Sequence, residues 1–368
     1  MKVSPAFSTY LDLLRLSAAA MVAVTHIKLL GIGPDAVRRL IPAVGHEFVI
    51  IFFVLSGFVI AYTVDRKRDA TLRDYALDRA ARIYSVVVPA LLLATLVSVV
   101  HWTLAEPGQT ETAQQIGMGL VANLFFFGQS WWVDSVPPSD PPFWSLCYEV
   151  MYYLLFGCMH YLRGGRRVWA CLAVVLLAGP KVLLLLPCWL AGVAVYRWSG
   201  RLRSTTVAAA ALCVAPMVIL LVLSRLHLGG LLQIGPGDAT ETFISRSNNF
   251  IKDFICALMI AVHLCGMQHL LAIRALRRPA ARTGDAAWWA RLITQGAGAT
   301  FTLYLIHYPL LLVVLRVAGT QAKSVGALVA ALSVVAITTW VVAQHTEAQR
   351  HRLRIALARF ANPVARAV

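Results

Sequence analysis

Long apolar stretches alternate with short polar segments along nearly the whole chain, as in proteins that cross a membrane several times. A crossing helix needs about 20 apolar residues, with a range of roughly 17–25. Clear stretches of this kind lie at 8–31, 44–64, 83–104, 145–162, 205–224, 249–271, 296–317 and 325–343. A further apolar block, interrupted by Gly179, Pro180 and Pro187, splits into two short spans at about 168–179 and 181–197. The pattern predicts an all-α, polytopic integral membrane protein with about ten transmembrane helices.

The apolar segment 116–132 is ambiguous, and the charges on either side of it decide its placement. Basic residues cluster before it at 66–82 and after it at 163–167, whereas the loop 105–143 contains neither Lys nor Arg. Because Lys and Arg mark cytoplasmic loops, that loop should lie outside, and only the crossing 145–162 fits between the two clusters. The segment 116–132 is therefore predicted to be re-entrant or interfacial. The same rule places both termini and the segments 197–203, 272–295 and 345–368 in the cytoplasm.

Composition agrees with a membrane protein that has no soluble domain of its own. Of the 368 residues, 59% are hydrophobic and 14% are charged, whereas soluble domains average roughly 45–50% and about 25%. In a soluble protein a net charge of +16 would suggest nucleic-acid binding. Here the basic residues of cytoplasmic loops explain the charge. The seven cysteines lie in apolar stretches without a C-x-x-C pair, which favours buried thiols over disulfides or a metal site. We expect a single membrane-embedded domain over 1–368, without a metal.

The first span contains two polar residues, Arg15 and His26, in the stretch LRLSAAAMVAVTHIKLL. Eleven residues are close to three helical turns, so both side chains lie on one face, about 16 Å apart along the axis. Charged groups in a bilayer cost at least roughly 2.5–3.5 kcal/mol and usually face the bundle interior and serve function. The alternative is an arginine that reaches the cytoplasmic headgroups and a histidine at the outer helix end.

Two arginines three residues apart, Arg79 and Arg82, stand at a predicted helix start in the segment DRAARIY. They share one helix face. Guanidinium groups form paired hydrogen bonds with phosphates, so the pair could clamp an anion. The basic character of a cytoplasmic loop explains them equally simply.

The segment PPFWSLCYEVMYYLLFG combines a helix start with an acidic residue in apolar surroundings. Ser145 could cap the helix, and Glu149 follows one turn later. A submerged carboxylate beside an imidazole would fix the tautomer of that histidine. Alternatively, Glu149 is an acid placed favourably near a helix N-terminus.

Two further spans carry polar residues. The segment TFTLYLIHYPLLL places His307 in mid-span with Tyr304 one turn earlier, and a structural histidine bonded to a backbone carbonyl is the alternative to a functional one. The segment HEFVIIFFVLSGFVIAY places Glu47 at the outer end of the second span. Ser56 and Gly57 within that span most simply permit close helix packing, because no G-x-S-x-G elbow surrounds the serine.

Together these segments resemble the membrane-bound acyltransferase family 3, the bacterial O-acyltransferases that modify surface polysaccharides. The stretch YLDLLRLSAAAMVAVTH is similar to the first-helix pattern of the family, and FFVLSGFVI to its second-helix signature. RAARIY matches the R-x-x-R loop. FWSLCYEVMYYLLFG and TLYLIHYPLLL match the W-S-L-x-x-E and Y-L-x-H-x-P elements. The motifs occur in this order over most of the chain.

The resemblance implies transfer of an acyl group, usually acetyl, from cytoplasmic acyl-CoA to a hydroxyl of lipopolysaccharide, exopolysaccharide or another envelope glycan. The protein would lie in the bacterial inner membrane, with acyl-CoA, a glycan or glycolipid acceptor and the lipid bilayer as partners and no nucleic acid. His26 would act as general base or form an acyl intermediate, with Glu149 orienting it. Acyl-CoA would contact three arginines, and five residues would support the site or contact the acceptor. These are Arg15, Arg79 and Arg82 for acyl-CoA, and Glu47, Trp144, Ser145, Tyr304 and His307 for support.

The chain departs from the family pattern at a few positions, and two other functions stay open. Leu13 and Leu16 flank Arg15 where the family often has glycine, and the segment 345–347 reads HTE where many members have E-x-P. A transporter or channel would also place Arg, His and Glu among broken helices, and a non-catalytic subunit of a glycan-synthesis complex is the second rival. For the enzyme, the outer loops 105–143 and 225–248 are predicted to form the acceptor cleft.

Overall fold

The computed structural model describes residues 3–104, 113–201, 205–225, 244–277 and 288–360. Throughout these ranges the regular structure is helical and no β-strand occurs. The α-helices are α1 Pro5–Leu29, α2 Asp35–Leu40, α3 Gly45–Arg66, α4 Leu72–Leu104, α5 Ala113–Leu124, α6 Trp144–Tyr161, α7 Gly164–Ala178, α8 Pro180–Leu184, α9 Leu186–Trp198, α10 Thr206–Arg225, α11 Phe250–Arg277, α12 Trp288–Ala297, α13 Thr300–Ala318, α14 Val325–His345 and α15 Arg350–Phe360. The predicted all-α class is confirmed.

Within the described ranges, eight helical segments are long and apolar enough to cross a membrane. They coincide with eight of the ten predicted spans. The other two predicted spans are the helices α6, with 18 residues, and α7, with 15 residues. Helix α6 contains Glu149 and several tyrosines, and α7 is shorter than the range of roughly 17–25 residues that a crossing requires. The predicted break between 179 and 181 is also present, because Gly179 adopts a φ of 77° and α8 begins at Pro180.

The described chain forms two compact units that are interleaved in sequence. The first unit comprises 1–18, 46–69 and 180–297, and the second comprises 19–45, 70–179 and 298–368. Helix α1 begins in the first unit and ends in the second. The expectation of one membrane-embedded domain stays a prediction.

In the first unit, α3 and α9 approach closely through glycines. A Cβ atom on Gly57 would overlap the carbonyl oxygen of Trp189, and one on Gly192 would overlap that of Val54. The indole Nε1 of Trp189 donates a hydrogen bond of 3.1 Å to Ser56 Oγ. The predicted packing role of Ser56 and Gly57 is therefore confirmed.

In the second unit, α4 packs against α6, α13 and α15, and α13 packs along α14. Helix α5 has 12 residues, about 18 Å at 1.5 Å per residue, which is shorter than the hydrocarbon core of about 30 Å. It is followed by irregular backbone up to residue 140. This short helix and the loop after it agree with the re-entrant or interfacial segment predicted at 116–132.

The irregular backbone after α5 is held by local hydrogen bonds. The N–H of Ser135 donates to Gly128 O at 2.7 Å, and Gln129 Nε2 donates to Asp134 Oδ1 at 2.8 Å. The Trp131 indole N–H donates to Leu176 O of α7 at 2.6 Å. These contacts give the polar groups hydrogen-bond partners, which the hydrocarbon core of a membrane does not offer.

All seven cysteines are free thiols, four of them buried and three half-buried.

Candidate active site

Two histidines meet in the second unit, one from the end of α1 and one from α13. Nε2 of His307 and Nδ1 of His26 are hydrogen-bonded at 3.0 Å, and their ring centroids are 5.1 Å apart. His307 is completely buried, whereas His26 is half-buried. The ring of Tyr308 packs edge-on against His26, with centroids 5.2 Å apart. His26 is thus the partly accessible member of a buried histidine pair.

The backbone of α13 determines which nitrogens of this pair carry protons. His307 Nδ1 lies 3.0 Å from the carbonyl oxygen of Leu303. A carbonyl can only accept, so Nδ1 of His307 is the protonated nitrogen and Nε2 of a neutral His307 is an acceptor. Nδ1–H of His26 must then donate to His307. With both rings neutral, Nε2 of His26 carries a lone pair that can accept a proton.

A short chain of hydroxyl groups joins α6 to α13 beside the histidines. The hydroxyl of Tyr304 donates to Pro142 O at 2.9 Å, and it lies 2.7 Å from Ser145 Oγ. Because the hydroxyl proton of Tyr304 is donated to the Pro142 carbonyl, the Ser145 hydroxyl must be the donor in its hydrogen bond with Tyr304. The rings of Tyr304 and His307 are 6.2 Å apart. The structure therefore brings the predicted residues Ser145, Tyr304, His307 and His26 together.

Glu149 lies one turn beyond Ser145 on α6 and takes part in a different set of contacts. Its Oε1 accepts a short hydrogen bond from the hydroxyl of Tyr153. The guanidinium of Arg79 lies over the Tyr153 ring, 5.9 Å from its centroid. The residue hydrogen-bonded to His26 is thus His307, and Glu149 is linked instead to the arginine end of the unit.

Three arginines gather where α4 begins and α15 follows α14. Arg350 interacts electrostatically with Arg79 and Arg82 and with the acidic residues Asp78 and Glu347. Nε of Arg79 is buried without a hydrogen-bond partner among the described residues. Three guanidinium charges in one cluster, one of them with an N–H that has no acceptor, form a site that suits a bound polyanion. Sequence reasoning missed Arg350, because an arginine in a basic tail looks like any other cytoplasmic charge.

Glu347, in the segment where the family often has E-x-P, is buried and belongs to the second unit. Its Oε2 accepts hydrogen bonds from the N–H of Thr302 at 3.3 Å and from the Thr302 hydroxyl at 3.2 Å. The carboxylate thus holds the N-terminal turn of α13, the helix that carries Tyr304 and His307.

Arg15 and Glu47 lie in the first unit. Arg15 interacts electrostatically with Asp12, whose carboxylate accepts a hydrogen bond of 3.4 Å from Thr294 Oγ1. Helix α1 is continuous from Pro5 to Leu29, so Arg15 and His26 lie on one helix as predicted. Glu47 forms a close ion pair with Lys252. This pair gives Glu47 a structural role that the sequence had not indicated.

The tryptophans differ in accessibility. Trp144 is 7% exposed and packs edge-on against Tyr148 at 5.1 Å, which leaves little of its ring for a ligand. Trp132 is 65% exposed and stacks on Trp131 at 5.3 Å. Parts of two predictions lie outside the described residues. For the predicted acceptor cleft these parts are residues 105–112 and 226–243. For the predicted cytoplasmic segments they are residues 278–287 and 361–368.

Two residues beside the histidine pair were not singled out in the sequence. Tyr308 contacts His26, and Asp140 is completely buried next to the Pro142 turn. Tyr308 directly follows His307 and could have been found from that neighbourhood. Asp140 gave no such signal, because Ser-Asp-Pro-Pro is typical of an exposed turn.

Comparison with known proteins gives one family and one relative. The acyltransferase domain of acyltransferase family 3 matches residues 8–343. Acyltransferase MdmB of Streptomyces mycarofaciens is 33% identical over 138 residues, which are 36% of this chain and 34% of that protein. The chain thus matches about a third of the length of this curated relative. No solved structure matches the chain significantly.

Proposed function

The chain belongs to acyltransferase family 3, and from this premise we propose that it transfers an acyl group, usually acetyl, from acyl-CoA to a hydroxyl of an envelope or exported glycan. The observation that carries the proposal is the histidine pair. A half-buried imidazole whose second nitrogen is held by a buried partner is the arrangement that general-base catalysis requires. The whole match, 8–343, would act as one membrane-embedded domain.

His26 is the base in this proposal, and His307 orients it. Nε2 of His26 accepts the proton of the acceptor hydroxyl while the hydroxyl oxygen attacks the thioester carbonyl carbon. The carbon–sulfur bond then breaks, and the CoA sulfur receives the proton from His26. The products are an ester and free CoA, and His26 returns to its neutral state. Nδ1–H of His26 stays directed at His307 throughout, so the ring keeps its orientation.

Glu149 takes a different role from the one its sequence position suggested. In our proposal His307 replaces it as the orienting residue, because His307 is hydrogen-bonded to His26. Glu149 instead fixes Tyr153, over which Arg79 lies. Its contribution would be to hold the donor end of the site.

The donor phosphates would bind at the arginine cluster formed by Arg79, Arg82 and Arg350. The unpaired Nε of Arg79 and the mutual repulsion of the three charges fit a polyanion such as CoA. The pantetheine arm would then extend toward the histidine pair of the same unit. Acyl-CoA is cytoplasmic, so this end would face the cytoplasm of a bacterial inner membrane.

The acceptor would approach from the outer side. Trp132 is well suited to stack on a sugar ring, because it is exposed and already braced by Trp131. An interfacial aromatic belt explains an exposed tryptophan too, so the acceptor is best identified directly. NMR of surface glycans from a strain lacking the gene should show lost O-acyl signals, and unchanged signals in every glycan fraction would contradict a glycan acceptor.

A transporter or channel remains the alternative, because it would also place Arg, His and Glu in a helical bundle. Purified protein in nanodiscs should hydrolyse labelled acetyl-CoA slowly, or exchange its label with free CoA. Substrate uptake into sealed vesicles without any acyl turnover would favour transport. A non-catalytic subunit would show neither activity.

A further inference from the structure

Asp140 is a buried carboxyl group that no part of the proposed mechanism uses. Its exposed fraction is 0%, and neither Oδ1 nor Oδ2 has a hydrogen-bond partner among the described residues. Its backbone is well placed, since its N–H donates to Pro137 O at 3.1 Å and its carbonyl accepts from the N–H of Phe143 at 3.2 Å. A buried polar group without a partner is rare in proteins and calls for a functional explanation.

The titratable groups that interact with Asp140 among the described residues come from α13. Asp140 interacts electrostatically with Tyr304 and Tyr308 of α13, and Glu149 of α6 acts on the same Tyr304. The Tyr304 proton is already used by Pro142 O. Tyr308 is half-buried and packs against His26. Asp140 therefore lies behind a partly accessible tyrosine that borders the proposed base.

We propose that Asp140 is a positioning residue that acts as a neutral carboxylic acid. Its O–H donates a hydrogen bond to the hydroxyl oxygen of Tyr308. This bond directs the Tyr308 O–H at the thioester carbonyl oxygen beside His26. This inference rests on the proposed acyl transfer. As the hydroxyl attacks, the carbonyl oxygen gains negative charge, and the hydrogen bond from Tyr308 strengthens. Asp140 keeps its proton, and no bond to it forms or breaks. A side-chain rotation must bring Asp140 to Tyr308, because neither carboxyl oxygen of Asp140 has a hydrogen-bond partner among the described residues.

Two arguments favour the neutral form. Burial raises the pKa of Asp140 well above its ordinary value of 3.8, and among the described residues no basic group offsets that effect. A carboxylate at this position would also repel the oxyanion that forms beside it. A carboxylic acid and a tyrosine acting together as donors to an oxyanion is a chemically known combination. Because Asp140 cannot be reached from outside, it acts through Tyr308.

The test is a pH profile of acyl transfer by full-length protein in nanodiscs, for wild type, Asp140→Asn, Tyr308→Phe and the control Asp69→Asn. Asn is similar in size to Asp, is neutral and can donate, so it should keep kcat within about threefold at neutral pH. It should also remove the alkaline decline that ionisation of Asp140 causes in the wild type. Tyr308→Phe should lower kcat by about 10²-fold, with little change in KM for acyl-CoA. Asp69, an exposed acid of the loop before α4, should give a wild-type profile.

Each alternative result overturns the proposal. A folded Asp140→Asn protein without activity would show that the ionised form is needed, and an unchanged alkaline decline would show that Asp140 does not titrate there. An independent reading is the infrared C=O stretch of a protonated carboxylic acid, expected in wild type at neutral pH and absent in Asp140→Asn. If that band is missing in wild type, the inference fails whatever the activity. If no protein transfers acyl groups but the band is present, the failure lies with the proposed function.

Discussion

At the scale of single residues, the account depends on the proton positions of two imidazoles. A backbone carbonyl on Leu303 fixes the tautomer of His307, and His307 fixes that of His26. Replacing His307 with Leu would remove the acceptor that His307 offers to Nδ1–H of His26, and the hydrogen bond to the backbone of Val22 would then hold the ring alone. We expect kcat to fall about 10²–10⁴-fold, with little change in KM for acyl-CoA.

A second variant separates orientation from packing at this position. The amide oxygen of Gln can accept from Nδ1–H of His26, so His307→Gln should recover at least about tenfold over Leu. Steady-state kinetics of acyl transfer on both proteins measures the difference. Equal activity of the Leu variant and wild type would show that His307 does not orient the base.

Asp140 also gives a prediction about stability. In the unfolded chain it titrates near its ordinary value of 3.8, whereas burial raises the pKa in the folded protein. Between these two values the folded state binds more protons, so the free energy of unfolding falls as the pH rises. Asp140→Asn removes this dependence. The variant should match wild type below about pH 4 and become more stable above it, by up to about 1.4 kcal/mol per pH unit.

Unfolding midpoints in detergent at several pH values would test this stability difference. Asp69→Asn is the control, because it removes an exposed carboxylate from a loop outside the proposed site. A constant difference between Asp140→Asn and wild type at all pH values would contradict a raised pKa.

Sequence reasoning found several residues of the site but not how they are connected. Four residues could be selected from the sequence because polar groups in apolar helices are energetically costly and usually functional. They are Ser145, Tyr304, His307 and His26. The hydrogen bonds among these residues depend on which helices pack together. The periodicity of apolar residues in the sequence does not show that packing. For this reason the sequence could not show that Glu149 accepts its hydrogen bond from Tyr153 and that His26 is bonded to His307.

At the scale of helices, the arginine cluster makes a prediction about donor binding. Helix α4 begins at Leu72, so Arg79 and Arg82 lie in its second and third turns and not at the predicted helix start. Arg350 begins α15, which packs on α4. Arg79→Ala and Arg350→Ala should each weaken CoA binding by roughly 1.5–3 kcal/mol, the value of a hydrogen bond to a charged group. Lys should restore only part of the loss, because it lacks the paired geometry of a guanidinium.

Calorimetric titration with CoA measures these affinities. Arg68→Ala serves as control, since that side chain is 80% exposed and pairs only loosely with Asp65 at 3.9 Å. Wild-type affinity in both cluster variants would rule out the arginine cluster as the phosphate site.

The helices themselves were largely predictable from the sequence. The bilayer thickness sets the length of a span, so hydropathy alone located eight of them. Gly179 and Pro180 marked a helix break because a positive φ and a missing N–H interrupt any helix. The buried turn at Asp140–Phe143 was not predictable, since proline-rich turns usually lie on the surface.

At the scale of the whole molecule, the charge pattern predicts which ends face the cytoplasm. Val133 and Asp69 are both exposed, one after the re-entrant segment and the other in the basic loop before α4. In a cysteine-free background, Cys at position 133 should react with a membrane-impermeant thiol reagent on whole cells. Cys at position 69 should react only after the membrane is opened. The reverse pattern would invert the proposed path of the donor.

The central claim is that this membrane protein transfers acyl groups with His26 as its base. The most direct test compares wild type and His26→Ala in nanodiscs, with labelled acetyl-CoA turnover and CoA affinity measured on the same preparations. We expect turnover by wild type, a fall of turnover in the variant to below about one hundredth, and unchanged CoA affinity. A folded variant that retains a tenth or more of wild-type turnover would contradict the account.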